Sequence, residues 1–229
     1  MKIIDIILNA FKLIFGMDPQ LYEIIFLSLK VSFTALCISS TIAIVSGFAL
    51  ALKKFYFKNL VLVLLNSLMG IPPVVVGLLV YFVFAYEGPL GVLNLLYTPA
   101  AMIIAQIIII FPIVLSLSHE IFSKNWINYK DQFRSLNMPF LGVIKILATH
   151  NYFLLITVIL SAFGRAISEV GAVMIVGGNI DHYTRVMTTA ISLETRMGNL
   201  EYALALGIVL ILITTIIYSL VYLINLNRR

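Results

Sequence analysis

The chain has 229 residues, 62% of them hydrophobic and only 11% charged, with a mean hydropathy of +1.08 and a formal net charge of +5. A soluble domain of this length cannot hide so much apolar surface, so the composition excludes that class and specifies a polytopic membrane protein. The positive charge forms no basic patch with interleaved aromatics, which argues against nucleic acid. The single cysteine, Cys37, excludes a disulfide framework or thiolate cluster and reads as a buried, inert thiol.

In residues 1–20, Ile4, Ile7, Leu8, Phe11, Ile14 and Phe15 recur at helical spacing, with Lys2, Asp5, Asn9 and Lys12 on the other face. This predicts an N-terminal helix lying in the membrane interface, too short to span and ended by Gly16 and Pro19. Its length suits a signal peptide, but no small-residue cleavage site follows. The first predicted span covers about 22–52. Ala35, Ser39, Ala43, Gly47 and Ala51 stand in it at strict four-residue intervals, a narrow ridge along which another helix can pack closely. The other reading of that ridge is a polar stripe facing substrate. Lys30 lies near the outer end and can snorkel.

A basic turn over 53–58 leads to the second span, about 60–86, which is interrupted by Gly70-Ile71-Pro72-Pro73 and by Gly77. Two consecutive prolines remove two backbone donors and disfavour helix before them. Broken backbone at membrane depth is tolerated only beside protein or a water-lined cavity, so Pro72, Pro73 and Gly77 are candidates for a pathway or gate as well as for a kink. Residues 87–91 form a turn cluster, and the third span runs over about 100–117 with a kink at Pro112. Residues 119–150 are the longest polar stretch. Within it, 128–147 is basic, partly amphipathic and broken at Met138-Pro139. That pattern suits a helix–turn–helix under the membrane, offering a docking surface to a soluble partner; the other reading is a solvated loop.

The fourth span, about 152–176, reads as one helix. It carries Arg165 and Glu169, four residues apart. Two central charges cost roughly 5–7 kcal/mol on the insertion scale, and its thirteen Leu, Ile, Val and Phe residues return about 4–8. So small a margin turns the helix toward protein or a polar cavity and makes its ionisable residues functional candidates. As a pair, Arg165 and Glu169 can neutralise each other and brace the helix. Alternatively, Arg165 lines the path of an anion while Glu169 limits how tightly it holds. The charge balance favours the brace. Ser168 either bonds a backbone carbonyl or faces the path. Gly171, Gly177, Gly178 and Asn179 provide close helix approach and a tight turn. In the loop over 177–200, the segment 185–197 sets Val186, Met187, Ala190, Ile191 and Leu193 among polar residues and predicts a short interfacial helix; the other reading is a plain connecting loop. The fifth span covers about 202–226 and ends in Asn227-Arg228-Arg229.

Lys53, Lys54, Lys58, Lys124, Lys130, Arg134, Lys145, Arg228 and Arg229 fall on one side of this topology, and Lys2, Lys12, Arg185 and Arg196 on the other. Nine against four puts the 119–150 loop in the cytoplasm, with the N-terminus outside and the C-terminus cytoplasmic. The chain has no G-x-x-x-x-G-K-[ST] and no H-E-x-x-H, so it carries no nucleotide site of that kind and no metal or catalytic residue is assigned. His119-Glu120 reads as a capping or interfacial pair, and His150 and His182 lie on opposite sides of the membrane.

The 128–150 segment resembles, in degraded form, the coupling motif E-A-A-x-x-x-G-x₉-I-x-L-P of type I ABC-transporter permeases. Asp131 stands at the Glu position, Gln132 and Phe133 at the two Ala positions, and Asn137 at the Gly position. Leu147 replaces the Ile, and Thr149 and His150 replace Leu and Pro. Asparagine is the natural stand-in for a left-handed glycine. F-G-R-A-I-S-E-V-G-A-V-M-I-V-G-G-N-I, from Phe163 onward, is similar to the signature of tungstate-type ABC permeases, close relatives of the molybdate permeases. I-P-P-V-V-V-G-L-L-V-Y, G-P-L-G, T-P-A-A-M-I-I-A-Q-I-I-I-I-F-P-I-V and T-R-V-M-T-T-A-I-S-L-E-T also match that family, so the resemblance covers about 20–225.

The resemblance implies an all-α, polytopic type I ABC permease (MetI-like) fold: five transmembrane helices within 21–226, preceded by the interfacial helix of 1–20. It implies a pore-forming homodimer without cofactor, a separate cytoplasmic ABC ATPase, and an extracytoplasmic tungstate- or molybdate-binding protein. Asp131, Phe133, Arg134, Ser135 and Asn137 fall to ATPase coupling. Pro72, Pro73, Gly77, Arg165, Ser168 and Glu169 fall to the translocation path or gate, and Ala35, Ser39, Ala43, Gly47, Gly171, Gly177, Gly178 and Asn179 to packing and turns. The expected activity is ATP-driven import of tungstate or molybdate across the cell membrane. The competing class is an ion-driven secondary anion transporter; against it stands the expectation that only the second span has a Pro-Pro break, where such transporters often break helices in both halves.

Overall fold

A computed structural model describes residues 3–226; Lys2, Arg228 and Arg229 of the charge count lie outside the described residues. All regular structure among the described residues is helical. Helix α1 (Ile3–Phe15) is followed by α2 (Pro19–Leu52), the broken pair α3 (Lys58–Met69) and α4 (Pro73–Phe84), and the long α5 (Pro99–Ser135). Then come α6 (Phe140–His150), α7 (Tyr152–Ile167), α8 (Gly171–Gly177), α9 (Met187–Met197) and α10 (Leu200–Leu226). Among the described residues, α2, α5 and α10 are long and apolar enough to cross a membrane alone. The count rises to five if α3 with α4, bent by 100°, and α6 with α7, bent by 74°, each form one span.

The long helices begin where local chemistry starts them. Asp18 Oδ1 accepts the Leu21 N–H at 2.9 Å with Pro19 in the first turn of α2, and Thr98 Oγ1 accepts the Ala101 N–H at 3.4 Å with Pro99 opening α5. At the other end of α2, Lys58 Nζ donates to the Ala51 and Lys53 carbonyls at 3.1 and 3.3 Å, placing a cation on the negative end of the helix.

The most extensive helix contact joins α2 to α5. Ala35, Ser39 and Ala43 are fully buried along it, and a Cβ on Gly47 would stand 2.9 Å from the Leu115 carbonyl oxygen. The ridge of small residues therefore faces α5, not a groove. Cys37, expected to be buried, is exposed. It sits two positions, about 200°, around the helix from Ala35, on the face opposite the ridge.

Two further expectations are corrected. The third span does not stop near residue 117: α5 runs on for 37 residues, about 55 Å, against a hydrocarbon core of about 30 Å. Its last turns form the first arm of the predicted helix–turn–helix and α6 forms the second. The fourth span is not one helix. It stops at Ile167 and restarts at Gly171, so the fold has a second broken helix where one was expected.

At the N-terminus, α1 packs against α10 through Ala10, with Asn9 Nδ2 donating to Glu201 Oε1 at 2.9 Å. Asn9 thus turns inward, while Ile3, Ile4, Ile7, Leu8, Phe11 and Phe15 stay exposed. The predicted helix over 185–197 is present as α9. Its first turn is buried rather than surface-bound: Met187 N–H donates to Ser28 Oγ of α2 at 2.7 Å.

Candidate functional site

The two broken helices meet. α4 and α8 pack against each other so closely that a Cβ on Gly77 would stand 2.6 Å from Ala172 Cα, and Gly171 closes on Val74. Gly77 is therefore buried in a helix contact. Pro72 and Pro73 sit at the start of α4, with Pro72 exposed.

At membrane depth every backbone polar group freed by a break needs a partner. Side chains supply several at 168–170. Ser168 Oγ donates to the Gly164 carbonyl at 2.8 Å, the carbonyl-bonding alternative of its two readings. Gln106 Nε2, from α5, donates to the Ala166 carbonyl at 3.1 Å and to Ser32 Oγ of α2 at 3.4 Å. Thr188 Oγ1, from α9, donates to the Glu169 carbonyl at 2.7 Å. Glu169 Oε1 accepts the Ala172 N–H at 3.3 Å, placing a carboxylate on the positive end of α8.

The other Glu169 oxygen pairs with Arg165 at 3.2 Å. The carboxylate side chain is 5% exposed and the arginine 42%, so the acid is locked into the break and the guanidinium edges outward. There it borders a recess of about 320 Å³ between Leu68, Met69 and Ile71 at the first break and Ile108, Phe111 and Pro112 of α5. Arg165 is the only polar side chain among the described lining of this recess. The geometry is thus an ion pair that braces the break, with one guanidinium edging the recess.

The turn after α8 is closed by Gly178 and Asn179, both left-handed, at φ of +68° and +52°. Gly177 lies against Met102, and its carbonyl accepts from Thr184 Oγ1. Next to it in sequence, exposed His182 Nδ1 lies 2.8 Å from Glu23 Oε2, and Asp181 pairs with Arg185 at 2.8 Å. The Glu23 hydrogen bond and charge, with help from Asp181, hold the imidazole pKa above its ordinary value.

At the opposite end, Asp131, Arg134 and Ser135 are exposed on the last turns of α5, and Asn137 takes the left-handed conformation, φ +47°, expected of a glycine substitute. Phe133 turns inward, stacked on Trp126 at 6.2 Å in a cluster with Phe48, Phe122, Val143 and Leu147. It shapes the hairpin from within and leaves the outer surface to its neighbours.

Sequence reasoning missed Gln106 and Thr188. The only local signal was a glutamine in the apolar run I-I-A-Q-I-I-I-I, which demands a partner; nothing local says which carbonyl it serves.

Residues 39–229 match the family described as "Binding-protein-dependent transport system inner membrane component". The chain belongs to this family. It is a multi-pass inner-membrane permease, a transport subunit rather than an enzyme, and the expected type I permease fold is the one observed. The permease is 42% identical to the tungstate uptake system permease protein TupB of Peptoclostridium acidaminophilum over 93% of each chain. It is 37% identical to the protein of that name from Campylobacter jejuni over 92% of this chain and 90% of the other. A probable anion ABC transporter permease protein of Haloferax volcanii is 37% identical over 83% and 84% of the respective chains. The second broken helix removes the structural argument raised against a secondary transporter; family membership decides that question instead.

Proposed function

We propose that this permease is the membrane-spanning subunit of an ATP-driven importer that brings tungstate, or the similar tetrahedral dianion molybdate, into the cell. The observation that carries the reading is the meeting of two broken spans beside a recess edged by Arg165, in a chain whose relatives are named for tungstate uptake. Two copies of the chain enclose the path. Pro72 and Pro73 at the first break and Arg165, Ser168 and Glu169 at the second form its moving wall, with Gly77 keeping the two breaks in contact.

A separate cytoplasmic ABC ATPase grips the hairpin of α5 and α6 through Asp131, Arg134, Ser135 and Asn137, with Phe133 setting its shape. An extracytoplasmic binding protein delivers the anion on the α9 side. In this topology the N-terminus is outside, α1 lies in the interface with its exposed apolar face in lipid, residues 21–226 form the transmembrane domain, and the C-terminus is cytoplasmic. Closing of the ATPase on ATP turns the bundles outward, and hydrolysis resets them.

The test is reconstitution in liposomes with the ATPase and binding protein. Tungstate uptake should require both ATP and the binding protein; uptake without either would overturn the proposal.

A further inference from the structure

The bend between α6 and α7 falls on Asn151, which is 4% exposed and serves as the last cap of one helix and the first of the next. Its Nδ2 donates to the Leu147 carbonyl at 2.7 Å, alongside its own backbone N–H, which donates to the same oxygen at 3.1 Å. Its Oδ1 accepts from Asn125 Nδ2 of α5 at 2.9 Å, and the same Asn125 nitrogen donates to the Ile121 carbonyl at 2.8 Å. Two amides therefore tie both arms of the cytoplasmic hairpin together where it enters the membrane. Beyond them the arms are joined by side-chain packing alone: Phe133, Val143 and Leu147 meet Phe48 and Phe122, with Phe48 edge-on to Phe122 at 5.2 Å.

The consequence is mechanical. Without the amide pair, α6 could swing about the 74° bend while α5 stayed still. With it, a push on the hairpin moves α5 and α7 as one. These are the two helices that carry Gln106 and the Ala166 carbonyl, joined at the second break. We infer that Asn125 and Asn151 form a clasp that makes the hairpin a rigid lever, and that they are positioning residues for coupling ATP hydrolysis to opening of the path. This rests on the reading of the hairpin as the ATPase contact.

The experiment uses the full complex with its ATPase and binding protein in liposomes, measuring tungstate taken up per ATP hydrolysed. Asn125→Ala and Asn151→Ala should each lower that ratio by about tenfold, within the range of ordinary coupling energies, while ATPase activity and co-purification of the subunits stay within about twofold of the unchanged complex. The double variant Asn125→Ala/Asn151→Ala should lower the ratio no further than the larger of the two single losses, because each single change already removes the bond between the two amides. A ratio unchanged in Asn125→Ala overturns the clasp. So does failure of both alanine variants to assemble, which would make the pair structural only, or a double variant whose loss is the product of the two single losses. If the unchanged complex itself shows no ATP-dependent uptake, the functional reading fails and not the clasp.

Discussion

Between α3 and α4 the chain turns through 100° with only backbone bonds closing Gly70–Pro72 and no side-chain cap on α4. Between α7 and α8 the interruption is held by four side chains, Ser168, Glu169, Gln106 and Thr188, two of them brought from other helices. The first break is written in covalent chemistry, because a proline has no N–H to lose and no helix to continue before it. The second depends on partners that arrive only when the chain folds. A proline break is insensitive to its surroundings, whereas a hydrogen-bonded one holds only while its partners stay aligned, which suits the second to be the break that moves.

If that contrast is right, damage at the second break should cost far more than at the first. Arg165→Ala leaves a buried carboxylate without its counter-charge and should destabilise the permease by about 3–5 kcal/mol, read by chemical unfolding in micelles. Gln106→Leu keeps the volume but strips the Ala166 carbonyl of its side-chain donor. The carbonyl keeps the Glu169 N–H at 3.2 Å, so a loss of about 0.5–1.5 kcal/mol is expected in the same assay. Pro72→Ala removes no polar partner, and Pro73 still bars the helix, so its change should stay within about 1 kcal/mol. A Pro72→Ala effect equal to that of Gln106→Leu would erase the distinction.

The smallest effect lies outside both breaks. Because the folded pKa of His182 is raised above the ordinary 6.5, its tie to Glu23 is fully present below that value and is lost as pH rises through the folded midpoint. A histidine titration followed by NMR should give a midpoint above 6.5 that falls back toward it in Glu23→Gln.

The same contrast explains what the sequence made legible. The Pro72-Pro73 break, the four-residue ridge from Ala35 to Gly47, the left-handed Asn137 and the α9 helix all follow from local spacing or local backbone chemistry. The second break does not, because Gln106 and Thr188 lie 60 and 19 residues from the carbonyls they serve. Read alone, Ile-Ser-Glu-Val-Gly continues an apolar helix; only the placement of α5 and α9 makes stopping there the lower-energy choice. The inward turn of Phe133 was hidden for the same reason, since its cluster draws on α2, α5, α6 and α7 at once. The Arg165–Glu169 pair lay between these cases: its spacing was visible, and the ion pair formed at 3.2 Å, but Glu169 also caps α8, a helix that the spacing did not reveal.

The central claim is that Arg165 and Glu169 brace the second break rather than bind the transported anion. It is tested most directly by ATP-dependent tungstate uptake in complexes carrying Arg165→Ala, Glu169→Ala and both together. The brace predicts that each single change abolishes most uptake by leaving one charge uncompensated, and that the double change restores much of it. A double variant as inactive as Arg165→Ala alone would contradict the brace and make Arg165 a contact of the anion itself.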